Sequence, residues 1–155
     1  MKKLYKGIHK FQESYFKKEE EFFKRLSRKQ EPDVLFVACA DSRVGHSNCG
    51  AMQALYRDEK ELEGMPHLRD WLKLALPVKE AVNAFYSDYS SDSIQRIMEK
   101  ENILAQLRNI QTYPFVAKAL EEGLLYLHGW YYEIHMGKVY AYNPNTDTFE
   151  DIIFI

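Results

Sequence analysis

Two cysteines and a histidine share one short window, CADSRVGHSNC, with Cys39 and Cys49 at its ends and His46 between them. Thiolate and imidazole are ligands that zinc prefers in tetrahedral geometry. Three of them leave a fourth position open, which separates a catalytic site from a structural one. A metal with an open position acidifies a water there, and the resulting hydroxide attacks small electrophilic carbons. Asp41 and Arg43 stand two and four residues after Cys39. Two roles are open to Asp41: it can orient that water through a hydrogen bond, or bind the metal itself and close the site. Arg43 would hold Asp41 in a bidentate pair that keeps it ionised. The plainer readings are that a cysteine outside a disulfide is a small buried hydrophobe, and that Asp-Ser-Arg is a turn with a surface ion pair. His9, His67, His128 and His135 are scattered and read as surface or structural residues. The chain holds no GxSxG and no Walker or dinucleotide glycine loop, so no organic cofactor is expected.

Around this window lies a chain of 155 residues, enough for one domain with a real core. Hydrophobic residues are 46% and charged residues 28%, the balance of a soluble globular protein. A net charge of -2 favours neither nucleic acid nor an anionic membrane as partner. The longest apolar runs are too short to span a bilayer. Lys2, Lys3 and Lys6 are followed by no apolar signal core, so a cytoplasmic location is expected. There, two cysteines flanking a histidine favour metal over a disulfide. Eleven Tyr and nine Phe concentrate in the first thirty residues and after Trp130. Core packing is the ordinary explanation for them, and a helical interface is the other.

The elements that must position the window follow from periodicity. Residues 3–28 read as a helix, with Leu4, Ile8, Phe11, Tyr15, Phe22, Phe23 and Leu26 on one stripe and a break near Glu13–Ser14. The polar stretch 27–33, containing Pro32, ends it. Residues 33–38 (DVLFVA) form a continuous apolar run of the kind buried on both faces of a parallel sheet. Cys39 would then sit at a strand's carboxyl end, where ligands gather in open α/β sheets. Helices are expected over 51–56, over 67–85 with a break or kink at Pro77, over 93–110, and from Tyr113-Pro114 to Leu120, with Gly123 as a stop. Strands are expected at 124–127, 130–134 and 138–142, the last two joined by His135-Met136-Gly137. Asn143-Pro144-Asn145 reads as a turn.

Three stretches resemble one family. PDVLFVACADSRV is similar to the first strand and C-x-D-x-R motif of the β-class carbonic anhydrases. GHSNCGAMQAL is similar to their H-x-x-C motif and following helix. ENILAQLRNIQTYPFV and LHGWYYEIHMGKVYAY are similar to their closing helices and terminal strands. The resemblance implies an α/β fold with a mostly parallel sheet flanked by helices, an N-terminal helical arm and an antiparallel C-terminal edge. As one domain over 1–155 it would divide into an arm (1–30), the zinc motifs (33–56), helices (67–120) and C-terminal strands (124–155). It also implies a zinc-dependent carbonate dehydratase, a lyase in which zinc-bound hydroxide converts carbon dioxide to bicarbonate and a proton. Cys39, His46 and Cys49 become zinc ligands. Asp41 and Arg43 become the dyad that orients the zinc-bound water, or releases Asp41 onto the metal. The arm resembles one that embraces a partner subunit, so a homo-oligomer, dimer or tetramer, is expected.

One departure is large. In the family several dozen residues separate the two motifs, whereas Val44 and Gly45 join them directly here. A parallel crossover needs a dozen or more residues, so His46 is not expected on a parallel neighbour of the strand that carries Cys39. Seven residues still reach about 23 Å, so a local loop can bring the ligands to one metal. The central strands and apolar pocket are expected to be incomplete. Two rivals to the enzyme follow: an inactive zinc-binding remnant, and an interaction subunit that docks on an intact homologue.

Overall fold

A computed structural model describes residues 2–28, 33–38 and 45–152. Cys39, Asp41, Arg43 and Val44, and with them the C-x-D-x-R motif, lie outside the described residues, as does Pro32. By contacts the chain divides into two compact units, Met1–Phe36 and Val37–Ile155.

The first unit is the expected helical arm. Helix α1 spans Lys2–Lys10, a π-helical segment follows over Phe11–Phe16, and α2 spans Glu20–Arg28. Phe11 and Phe23 meet edge to face with ring centroids 5.7 Å apart. A straight helix would separate these positions by about 18 Å of rise, so the arm bends between them. The bend falls where the sequence suggested a break. Ser14 donates its hydroxyl to the Lys10 carbonyl at 2.5 Å, the kind of back-bonding that bends helices, and wide π turns are common at kinks. No residue of α1, the π segment or α2 is buried.

The run Val34–Ala38 departs from expectation. It forms no strand among the described residues, and Leu35 is 80% exposed. An apolar run becomes a buried strand only when neighbours pair with its backbone and cover its faces, and among the described residues no strand pairs with this run.

The second unit is helical with a small sheet. Helix α3 spans Gly50–Ala54, α4 Pro66–Leu72, α5 Leu76–Tyr86, α6 Ser91–Gln111 and α7 Pro114–Glu121. The expected helix over 67–85 is thus two helices, joined by a tight turn at Lys73–Ala75, with Pro77 in the first turn of α5. Proline is tolerated there because its missing N–H would have had no intrahelical partner. Ser90 caps α6 by accepting from the Ser93 amide at 3.3 Å. Gly123, at φ 69°, turns the chain out of α7 in the left-handed region that glycine enters freely. The core gathers Met52, Ala54, Leu55, Leu62, Leu72, Ala75, Val82 and Met98, drawn chiefly from α3 to α6.

The C-terminal edge is antiparallel as expected. Strands β1 (Trp130–Glu133), β2 (Lys138–Asn143) and β3 (Thr148–Asp151) pair in order, Tyr131 opposite Tyr140 and Tyr142 opposite Phe149. The four-residue strand β3 lies beyond the expected turn, and its short run TFED carries little alternating pattern. Residues 124–127 are not a strand. Leu124 and Tyr126 are largely exposed there, with no partner strand among the described residues. No helix among the described residues is long and apolar enough to cross a membrane.

Candidate metal centre

The second motif is held from two sides. On one side, strand β1 grips the residues flanking His46. Tyr132 donates its amide to the Gly45 carbonyl at 2.8 Å, and its carbonyl accepts from the Ser47 amide at 2.9 Å. The Ser47 hydroxyl accepts from the Ile134 amide at 3.0 Å. His46 therefore forms a parallel bridge with Tyr132. The histidine does gain a parallel neighbour, but it is the C-terminal strand, not the run that leads to Cys39. Gly45 is required by close approach: a Cβ there would overlap the Ile103 side chain and lie 3.2 Å from the Trp130 carbonyl.

His46 is 1% exposed. Its Nδ1 lies 2.8 Å from the Ser47 carbonyl oxygen. A carbonyl only accepts, so Nδ1 carries the proton and Nε2 presents its lone pair. That Nε2 is buried and has no hydrogen-bond partner among the described residues. A ligating histidine is commonly oriented this way, with its other nitrogen donating to a carbonyl, and an orphaned buried nitrogen otherwise incurs a desolvation cost. Asn48, at φ 57°, makes the sharp left-handed turn that carries the chain from His46 to Cys49, a conformation asparagine tolerates better than most residues.

On the other side, Cys49 is buried at the start of α3. Its amide donates to Glu99 Oε1 at 2.8 Å. Glu99, 4% exposed on α6, also accepts from Gln95 Nε2 on Oε1 at 2.7 Å and from the Tyr131 hydroxyl on Oε2 at 2.9 Å. Burial first, and then the Glu99 charge, push the Tyr131 phenol far above its usual range, so it stays a donor. The Lys100 ammonium lies 5.3 Å from the centre of the Tyr131 ring. Glu99 has no signature in the sequence. It is a polar residue on a helix whose neighbour Met98 is fully buried, and only tertiary contact brings it to Cys49.

Of the expected site residues, the structure places His46 and Cys49 on one short turn, while Cys39, Asp41 and Arg43 lie outside the described residues. Among the described residues no group of three or more His, Cys, Asp or Glu could hold a metal ion. The donors that are described fit zinc: a buried thiol and a buried, oriented imidazole whose Nε2 has no hydrogen-bond partner among the described residues. His9, His67, His128 and His135 are exposed.

Comparisons with known proteins identify the family. The carbonic anhydrase family model matches residues 44–139. A carbonic anhydrase of Synechocystis sp. is 31% identical over 195 residues, covering 92% of this chain and 71% of the relative. Carbonic anhydrase 1 of Escherichia coli O157:H7 is 31% identical over 201 residues, covering 96% of this chain and 91% of the relative. Both aligned stretches are longer than the whole 155-residue chain, so these relatives carry residues with no counterpart here. Among solved structures, the β-carbonic anhydrase CcaA superposes with a TM-score of 0.91 at 29% identity, over 98% of this chain and 99% of that one. The chain belongs to the carbonic anhydrase family, in its β class, and is a carbonic anhydrase by fold and sequence.

Proposed function

We propose that this chain is a zinc-dependent carbonate dehydratase that interconverts carbon dioxide with bicarbonate and a proton. The observation that carries the zinc assignment is His46: its Nδ1–H is spent on the Ser47 carbonyl, and its buried Nε2 lone pair has no partner among the described residues. Cys39, His46 and Cys49 would hold the metal. Bound zinc would supply Lewis acidity, making a water nucleophilic near neutral pH. Asp41 would accept a hydrogen bond that aims that nucleophile, or would itself take the fourth metal position. Arg43 would hold Asp41 ionised and select between these roles. The burial of His46 and Cys49 keeps competing water from the ligand atoms.

The same reading treats residues 1–155 as one zinc-binding α/β domain working in the cytoplasm as a homo-oligomer, dimer or tetramer. The arm supports the oligomer: Tyr5, Phe11, Tyr15, Phe16 and Phe22 are exposed, as an interface helix requires, and Phe23 is half-buried against its aromatic neighbours. Metal analysis tests the ligand set. Cys39→Ser and His46→Ala should each abolish zinc retention, and a variant that keeps full metal removes that residue from the set. Asp41→Ala should keep zinc and lose most carbon dioxide hydration. Unchanged turnover in that variant removes Asp41 from the reaction.

A further inference from the structure

The two described ligands are tied to one strand through adjacent residues. Tyr132 of β1 grips the backbone on both sides of His46. Tyr131, its neighbour, donates to Glu99 Oε2, and Glu99 Oε1 accepts from the Cys49 amide. We propose that Glu99 is a positioning residue, setting the place of the Cys49 ligand relative to His46 by clamping the Cys49 main chain between α6 and β1. This rests on the zinc reading above.

Three features support a positioning role over simple satisfaction of a buried amide. A buried carboxylate is costly to desolvate, and a hydroxyl or amide would satisfy a single N–H at lower cost. The carboxylate instead uses both oxygens, one toward Cys49 and Gln95, the other toward Tyr131. It also stands on the longest helix, Ser91–Gln111, whose Met98 is fully buried beside it. The clamp is therefore anchored beside the packed core of the unit. The turn from His46 to Cys49, by contrast, passes through the exposed Asn48. Supports of this kind typically change metal affinity about 10–100-fold when lost.

Two substitutions separate geometry from charge. Glu99→Gln keeps an oxygen facing the Cys49 amide and Gln95. Its new NH2 group faces the Tyr131 hydroxyl, which can rotate to accept. Glu99→Asp keeps the charge but draws the carboxylate back by one carbon–carbon bond, about 1.5 Å. Zinc affinity is measured by competition with a chromophoric chelator, and the thiolate-to-metal absorption is recorded with cobalt(II) in place of zinc. The expected result is that E99Q stays close to the parent in both, while E99D binds zinc about 10–100-fold more weakly with an altered cobalt spectrum. Equal affinities for the parent and both variants overturn the proposal, as does the reverse order, E99Q weak and E99D intact. If E99D does not fold, Gln95→Leu removes a restraint on the same oxygen. Weaker zinc binding in Q95L supports the clamp, and unchanged binding overturns it. A parent chain that binds no zinc overturns the zinc reading and the proposal together. A parent that binds zinc, with indifferent variants, overturns the proposal alone.

Discussion

Tyr131→Phe removes one hydroxyl and leaves the ring that packs against Phe149 at 6.3 Å. The lost bond is the 2.9 Å contact with Glu99 Oε2, between side chains that are 2% and 4% exposed. Hydrogen bonds to charged groups contribute about 1.5–3 kcal/mol net. Glu99 Oε2 would be left buried without that donor, so a loss of about 2 kcal/mol is expected. For a domain of this size each kcal/mol shifts Tm by about 2–4 °C, so Tm should fall by about 4–8 °C at neutral pH. The pH dependence supplies an independent check. Burial and the Glu99 charge raise the Tyr131 pKa above its ordinary 10.0, so above that pH the native state keeps a proton that the unfolded state releases. The stabilisation is therefore complete below pH 10 and declines as pH rises above it, by up to about 1.4 kcal/mol per pH unit. Y131F lacks this proton, so the stability gap between parent and variant should narrow in alkali. Urea unfolding at neutral pH and across the alkaline range measures both effects. An unchanged midpoint at neutral pH, with parallel curves in alkali, would refute the buried Tyr131–Glu99 bond.

Other perturbations follow from single features. Met98, fully buried, is the centre of the helical core, and Met98→Ala should lower stability by about 2–5 kcal/mol in urea unfolding. Gly45→Ala forces a Cβ into Ile103 and should cost about 1–3 kcal/mol. Adding Ile103→Val, which removes the Cδ1 methyl, should recover part of that loss; no recovery would contradict the close approach. Asn48→Val should lose about 1–2 kcal/mol at its positive φ, whereas Asn48→Gly should be tolerated, as thermal unfolding can show.

Local structure was legible in the sequence, and distant contacts were not. The CADSRVGHSNC window pointed to a metal set through residue type and spacing; of that set the structure describes His46 and Cys49, both buried, with His46 Nε2 lacking a hydrogen-bond partner among the described residues. The arm's break near Ser14 and the long helix from Ser91 to Gln111 followed from periodicity. The antiparallel edge was read from its short Gly-containing loop. By contrast, Val34–Ala38 looked like a buried strand because apolar composition reports a preference for cover, not the presence of a neighbour to provide it. The same holds for Leu124–Leu127. The parallel bridge of His46 with Tyr132 joins residues far apart in the chain, and no local pattern announces it. Glu99 is the clearest case: on a helix with charged neighbours it reads as solvated, and only the folded chain puts it on the Cys49 amide.

Stopped-flow carbon dioxide hydration on protein of measured zinc content separates a working zinc enzyme from an inactive relative. Turnover above buffer, rising in proportion to bound zinc, is the expected result. A zinc-loaded chain no faster than buffer would contradict the proposed activity, leaving a protein that binds zinc without performing the reaction.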